Sequence, residues 1–560
     1  MNQLTTGHLT TVHLTSSHLT AGHLTTGNPA AHHLLLAVPG AGRLVQHVGW
    51  AALLPVLVPA LGALAVLVAD LFLPARRKPL LGWATVLVLA AALACLVPLR
   101  AGDRRTFCLG SGTPGPSTSC SYAADHFALV FQLLVLGGAL IAALLSQHSV
   151  RREKLPAGEF WFLLLSSATG AALLPASRDL ATLTVALEVT SLPAFALVGL
   201  RRDGRGGEAA LKFFLSSVAA TAVMLLGIGF LYGATGTMYL DRLGPALDAA
   251  PAQLALLAKA GALLTLVGFA FKTAAAPFHF WVPDTYVGAP VPVAAYLSVV
   301  GKAAGIAGLA LVTVIGLRPY GHLWGTLLAV LAAATMTVGN AAALRQRTAA
   351  PYSAVRLLAW SSVAQAGYLL VPLAAAGFRG GSAPDPRDAL GATAAYALVY
   401  GVVNLGAFAV VAGGGSALRV DDFRGLFSRR PALALAMAFF LLCLAGLPPG
   451  VVGLFGKVVV FRSAIDAGLG WLAVVMALNV VVALYYYVLW TARLFAPAAV
   501  APAGPVGPAA PSSALSAPPA AARTLSTPLA CGIAVTLLLG VVLSVYPQLV
   551  LQVASGSLFG

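Results

Sequence analysis

Lys212, Lys272, Lys302 and Lys457, among the seven lysines of this 560-residue chain, fall inside apolar runs. The 26 arginines keep instead to the polar breaks and the ends of the runs. The sorting is chemical. Arginine stays charged under protein conditions, whereas a lysine shielded from water can release its proton. One acid joins the four lysines, Glu188 in LTVALEVTSLPAF, five residues before Pro193. If the runs cross a bilayer, each such group costs at least about 2.5–3.5 kcal/mol and marks a function by default. Proton transfer is the chemistry this set could perform. The competing reading is a static salt-bridge network that orders the helices, which five groups on five separate runs disfavour. Asp70, close to the end of the first run, reads better as an interfacial or interhelical contact.

Two of the lysines stand against interruptions. Lys272 lies five residues before Pro277 in FKTAAAPFHFWVPD, and Lys457 follows LPPGVVGLFG. Proline and glycine at these places cannot continue a smooth helix, and freed backbone groups at each break would hold water beside the lysine. His279 and Trp281 flank the first break. A histidine there could relay protons, but a hydrogen-bonded structural role fits it better.

The elements that must position these residues follow from composition. Hydrophobic residues make up 59% of the chain, charged residues only 9%, and mean hydropathy is +0.90; an ordinary soluble domain carries roughly 25% charged residues. A soluble enzyme is excluded. The net charge of +16 could suggest nucleic acid, but the basic residues occur singly or in small groups between apolar blocks, as in loops at a membrane surface. The partner implied is a lipid bilayer and no nucleic acid. The five cysteines (Cys95, Cys108, Cys120, Cys443, Cys531) contain no CxxC, and the chain has neither a dinucleotide fingerprint nor a Walker loop. Neither a redox cofactor, a metal nor a nucleotide is expected in this chain. Cys108 and Cys120 share one loop, where a disulfide and a pair of idle thiols both remain open.

The expected fold is an all-α integral membrane protein with about fourteen transmembrane helices beginning near residue 48. Helices seven (252–281) and twelve (431–461) are broken. Interruptions in matching places suggest two inverted five-helix repeats, helices four to eight and nine to thirteen. Residues 1–45 form a low-complexity extension in which His8, His13, His18 and His23 are each followed by Leu-Thr, read as disordered. The transmembrane core spans 46–495, a Pro/Ala-rich cytoplasmic linker 496–525, and a final helix with the C-terminus 526–560. The loops after helices one, three, five, nine, eleven and thirteen carry 17 Lys and Arg against nine in the alternate loops. The former are therefore cytoplasmic, and both termini lie outside.

At LEVTSLPAFALVGLRR, ALKFFLSSVAATAVMLLGIGFLYGATGT, RLLAWSSVAQAGYLL, LAGLPPGVVGLFGKVVVF and above all FKTAAAPFHFWVPDTYVGAPVPVAAYLSVVGKAAG, the sequence resembles the antiporter-like membrane subunits of respiratory complex I, and among them the subunit N group of bacterial NADH-quinone oxidoreductase. The resemblance runs from about residue 48 to the end, apart from the linker. It implies proton-handling roles for Glu188 and Lys272 as a gating pair, Lys302 as a central relay and Lys457 as an exit-side group. Lys212 would tune Glu188 or the cytoplasmic entry. It further implies a non-redox subunit of a proton-translocating enzyme in the bacterial cell membrane. Quinone, NADH, FMN and iron–sulfur clusters would belong to partner subunits. The antiporter-like subunit M and the small subunits J and K would be neighbours. Trp360 and Gln365 depart from the pattern, where relatives often carry Tyr and His, which puts any polar relay through the tenth helix in doubt. A cation/proton antiporter subunit without redox partners is the rival reading, and a purely structural scaffold is the third.

Overall fold

The computed structural model describes residues 48–109, 118–378, 386–414, 418–497 and 525–555. The extension expected over 1–45 and all but the ends of the linker expected over 496–525 lie outside the described residues. Helix dominates because of the solvent: in hydrocarbon, backbone N–H and C=O groups must be satisfied within their own segment.

The chain opens with α1 (Trp50–Phe72) and α2 (Pro79–Ala94), then a hairpin of β1 (Arg104–Cys108) and β2 (Cys120–Ala124). There follow α3 (His126–Arg152), α4 (Ala157–Leu173), α5 (Leu180–Gly199), α6 (Gly204–Thr235), the short α7 (Leu240–Asp248), α8 (Ala255–Thr273) and α9 (Trp281–Gly288). Next, α10 (Val291–Tyr296) and α11 (Lys302–Ala310), with π-helical turns at Leu297–Gly301 and Leu311–Gly316, make one continuous span. After α12 (Gly321–Leu344), α13 (Ser353–Ala376) and α14 (Pro386–Gly413) comes the four-residue α15 (Leu426–Arg429). The remainder is α16 (Pro431–Ala445), α17 (Val451–Asp466), α18 (Gly470–Phe495), α19 (Thr527–Val545) and α20 (Gln548–Ser555).

Among the described residues, 13 helices are long and apolar enough to cross a membrane. The expected twelfth segment is missing from that set because it is two pieces, α16 and α17, each too short to cross alone. The expected seventh likewise ends at Thr273 and resumes as α9. Cys108 and Cys120 face each other across the hairpin and are joined by a disulfide. Their loop is one that the charge bias assigns to the outside, an oxidising environment that favours such a bond.

Two features set the depth of the functional residues. Asp179 caps α5 by accepting from the Thr182 amide (2.8 Å), and Asp203 caps α6 by accepting from the Gly206 amide (2.6 Å). With the start of α5 fixed, Glu188 stands about two and a half turns inside the helix, about 13 Å along its axis. The centre of the bundle is the span Val291–Gly316 with α13 and α14, whose apolar windows are 89%, 94% and 89% buried; α1 and α2 expose most of theirs. Close approach there depends on small residues. A Cβ on Gly339 would lie 2.4 Å from the Ala364 amide nitrogen of α13.

Candidate functional site

The first break closes on itself. α8 ends with Ala274 in the left-handed region (φ 62°), and the amides of Ala274 and Ala275 donate to Phe271 O and Ala270 O. From the second half, Trp281 Nε1 donates back to Phe271 O at 3.1 Å, and α12 takes the Ala276 amide through Thr335 Oγ1 at 2.8 Å. With these groups satisfied by side chains, Lys272 is free to turn away from its own helix. It is 7% exposed, and its Nζ donates to Ser191 Oγ of α5 (2.5 Å) and Ser217 Oγ of α6 (2.7 Å). The Phe195 and Phe271 rings lie 5.6 and 5.9 Å from the same nitrogen.

Glu188 does not form the ion pair with Lys272 that a gating pair suggests. Its Oε1 accepts from Thr221 Oγ1 at 2.7 Å. The geometry of α5 explains the separation: Ser191 follows Glu188 by three residues and meets the ammonium in its place. Ser217 and Thr221 are four residues apart, so one face of α6 holds the lysine at one turn and the carboxylate at the next.

Lys302, 1% exposed at the start of α11, donates to both O and Oγ of Ser362 on α13, each at 2.5 Å. The adjacent Ser361 shares a 2.5 Å hydrogen bond with Tyr487 of α18. Gln365 continues the line: its Nε2 donates to Tyr487 (3.4 Å) and its Oε1 accepts from Tyr396 of α14. Gln365, Tyr396 and Tyr400 then line, with Lys457, a cavity of about 10 Å³. The tenth helix, where Trp360 and Gln365 put a polar line in doubt, thus carries one. The Trp360 ring lies instead 5.6 Å from the His279 ring, tilted by 55°.

At the second break the lysine itself does the closing. α16 ends at Gly446 (φ 86°), a conformation that suits glycine, and the amides of Gly446 and Leu447 both return to Leu442 O. Lys457, 4% exposed, reaches across from α17 and donates to Leu444 O and Ala445 O, each at 2.8 Å. The carbonyls freed by the break, expected to hold water, are taken by the ammonium directly.

Lys212 belongs elsewhere. Its side chain is 51% exposed and pairs with Glu208 (2.7 Å) and Asp284 (3.1 Å), with Arg356 on the other oxygen of Asp284 at 3.8 Å. It sits two turns into α6, away from Glu188, at the cytoplasmic mouth assigned by the charge bias. Asp70 pairs with Lys78 at 2.9 Å, the interfacial contact expected of it. His279 leaves Nδ1 buried without a partner. Sequence reasoning missed Ser191, Ser217, Thr221, Ser362, Tyr396 and Tyr487. No cluster of His, Cys, Asp and Glu able to hold a metal occurs among the described residues.

Residues 177–483 match the family described as "NADH:quinone oxidoreductase/Mrp antiporter, TM". NADH-quinone oxidoreductase subunit N 2 of Streptomyces griseus is 63% identical over 537 residues, covering 95% of this chain and 97% of that protein. Subunit N of Salinispora tropica is 44% identical over 459 residues, covering 81% and 86%. The chain belongs to the NADH-quinone oxidoreductase subunit N family. A chain of respiratory complex I from Thermus thermophilus with bound aureothin superposes with a TM-score of 0.68 at 32% identity, covering 90% of this chain and all of that one. A chain of the Mrp complex from a Dietzia species, at 22% identity and a TM-score of 0.73, shares the fold.

Proposed function

We propose that this subunit N family member is a proton-translocating, non-redox subunit of the membrane arm of NADH-quinone oxidoreductase in the bacterial plasma membrane, coupled to quinone reduction in partner subunits. NADH, FMN, the clusters and the quinone belong to those partners. The antiporter-like subunit M and the small subunits J and K are its neighbours, as in the resemblance. Helices four to eight and nine to thirteen act as inverted repeats, each carrying one broken helix.

One observation carries the reading. Lys272, Lys302 and Lys457 are each buried, and each is held by neutral hydroxyl or carbonyl oxygens rather than by a carboxylate. A static salt-bridge network needs paired charges, because an unpaired buried ammonium is costly. Neutral acceptors stabilise the charged lysine enough to keep it hydrogen-bonded and leave the neutral amine accessible. In this scheme Glu188 and Lys272 form the gating pair, moving between the separated arrangement described above and direct contact. Lys302 is the central relay, joined through Ser362, Ser361, Tyr487, Gln365 and Tyr396 to the exit-side Lys457. Lys212 serves the cytoplasmic entry with Asp284.

The test is proton pumping normalised to quinone reduction in vesicles containing the whole complex, with Lys302→Met. Pumping should collapse while the peripheral NADH-oxidising activity and assembly persist. Full pumping in that variant refutes the route. Cation/proton exchange by the chain in vesicles without any quinone-reducing partner would favour the antiporter reading.

A further inference from the structure

A cavity of about 20 Å³ adjoins Lys272, bounded by α4, α5, α6, α8, α9 and the turn before Lys302. That volume suffices for one water molecule, which needs about 10–15 Å³ and two to four polar partners. The polar groups on its wall are Ser167, Thr190, Ser191, Lys272 and Tyr296, each no more than 7% exposed.

Their hydrogens are already committed. Tyr296 OH donates to Ser167 Oγ (2.8 Å), and Ser167 donates in turn to Thr190 O (2.6 Å). Thr190 Oγ1 donates to Ala186 O (2.7 Å), and Ser191 Oγ to Leu187 O (2.6 Å). What these hydroxyls still offer is lone pairs. Lys272 has three N–H donors and spends two, on Ser191 and Ser217. The wall therefore presents one donor and several acceptors, which is the complement of a water that accepts once and donates twice.

We infer that this cavity is a single-water site: the water accepts the third N–H of Lys272 and donates to Tyr296 Oη and Thr190 Oγ1. Tyr296 is the positioning residue. Its own hydrogen-bond chain runs through Ser167 and stops at a backbone carbonyl, which releases no proton, so the chain anchors the phenol and does not conduct. The Lys272 ammonium is thereby completed by three neutral oxygens, two from side chains and one from the water, without a carboxylate. The water site rests on geometry alone; its effect on pumping rests also on the proposed role of Lys272.

A cryo-EM map of the whole complex at a resolution that shows ordered water provides the direct test. Density for one water bridging Lys272 Nζ and Tyr296 Oη is expected, and its loss in Tyr296→Phe, which keeps the ring. Pumping per quinone reduced should fall roughly tenfold in Tyr296→Phe, less than the roughly 10²–10⁴-fold worth of a group that itself transfers the proton, because Tyr296 only positions the water. Ser167→Ala, which frees the phenol to rotate, should also lose the water, and Ser167→Thr should keep it; this pair answers the question if Tyr296→Phe fails to assemble. Absent density in the unmodified complex overturns the site, as does Tyr296→Phe with water and pumping both intact. Density present but Lys272→Ala pumping normally would instead overturn the carrier role of Lys272 and leave the water site standing.

Discussion

The two broken helices solve the same problem in opposite ways. Each break leaves carbonyls at the end of its first half that lipid cannot satisfy. At the first, the Trp281 indole and backbone amides supply the donors, and Lys272 is released to meet hydroxyls on two neighbouring helices. At the second, Lys457 supplies the donors itself and is bound to Leu444 O and Ala445 O of its own broken helix. Carbonyls at a helix C-terminus favour a positive charge by their dipoles and by direct hydrogen bonding. Lys457 therefore sits in a fixed acceptor set, whereas the acceptors of Lys272 move with α5 and α6, the helices that also hold Glu188 and Thr221. Under the proposed function the first site is the one that switches. The second is built to keep one preference.

The strongest way to break this comparison is to remove the switched group. Lys272→Ala should abolish coupled pumping, by roughly a hundredfold or more if a central proton carrier is lost, with the complex still assembled. Lys272→Arg keeps the charge but not ready deprotonation, and it should fail nearly as badly. Normal pumping in the Arg variant would show that only the positive charge matters there.

Lys457→Ala should differ in kind. Besides losing pumping, it leaves two buried carbonyls without their donor, at about 1–3 kcal/mol each. Lys272→Ala leaves Ser191 still donating to Leu187 O. Thermal unfolding of the purified complex should thus drop further for Lys457→Ala than for Lys272→Ala. Equal destabilisation would mean that the closing role assigned to Lys457 is wrong.

The lysines and both breaks were legible because charge inside an apolar run and Pro/Gly inside a span are both conspicuous. The acceptors were not. Serine and threonine in a helix satisfy themselves on the carbonyl four residues back, as Ser191, Thr190 and Ser217's neighbour Ser216 do. They leave no pattern in a hydropathy profile, and only the packing of α5, α6 and α8 shows which lone pairs face a lysine. Lys212, expected to tune Glu188 or the cytoplasmic entry, lies inside an apolar run yet is 51% exposed two turns into α6, where Glu208 and Asp284 meet it. Gln365 was legible as a departure, yet its effect was not, because an amide can bridge two phenols as donor and acceptor at once.

Glu188→Gln sharpens the comparison from the carboxylate side. The structure separates Glu188 from Lys272, but the two are held on adjacent turns of α5 and α6. Glu188→Gln should lower pumping by roughly tenfold, and the double variant with Lys272→Ala should be hardly worse than Lys272→Ala alone, because groups that act as a unit are not additive. Cleanly additive losses would assign the two residues to separate steps. The corresponding pair at the second break, Gln365→Leu with Lys457→Ala, tests whether that site too behaves as a unit.

The smallest expected effect concerns Thr221, which is 7% exposed and holds Glu188 away from the lysine with one hydrogen bond. A hydrogen bond to a charged group is worth about 1.5–3 kcal/mol, but part of that returns when the carboxylate finds another donor, and the Lys272 ammonium is held one turn away by Ser191 and Ser217. Thr221→Val, nearly the same shape without the hydroxyl, should let Glu188 move toward Lys272 and hold the ammonium charged. Pumping per quinone reduced should fall by a few-fold. Thr221→Ser, which keeps the donor, should restore most of the rate. The discriminating measurement is the distance between the Glu188 carboxylate and Lys272 Nζ in maps of the Val variant and the unmodified complex. A shorter distance with slower pumping means that α6 sets the switch by holding the two charges apart. An unchanged distance with unchanged pumping means that Thr221 only satisfies a buried carboxylate, and the contrast between a movable first site and a fixed second one then has to rest on Ser191 and Ser217 alone.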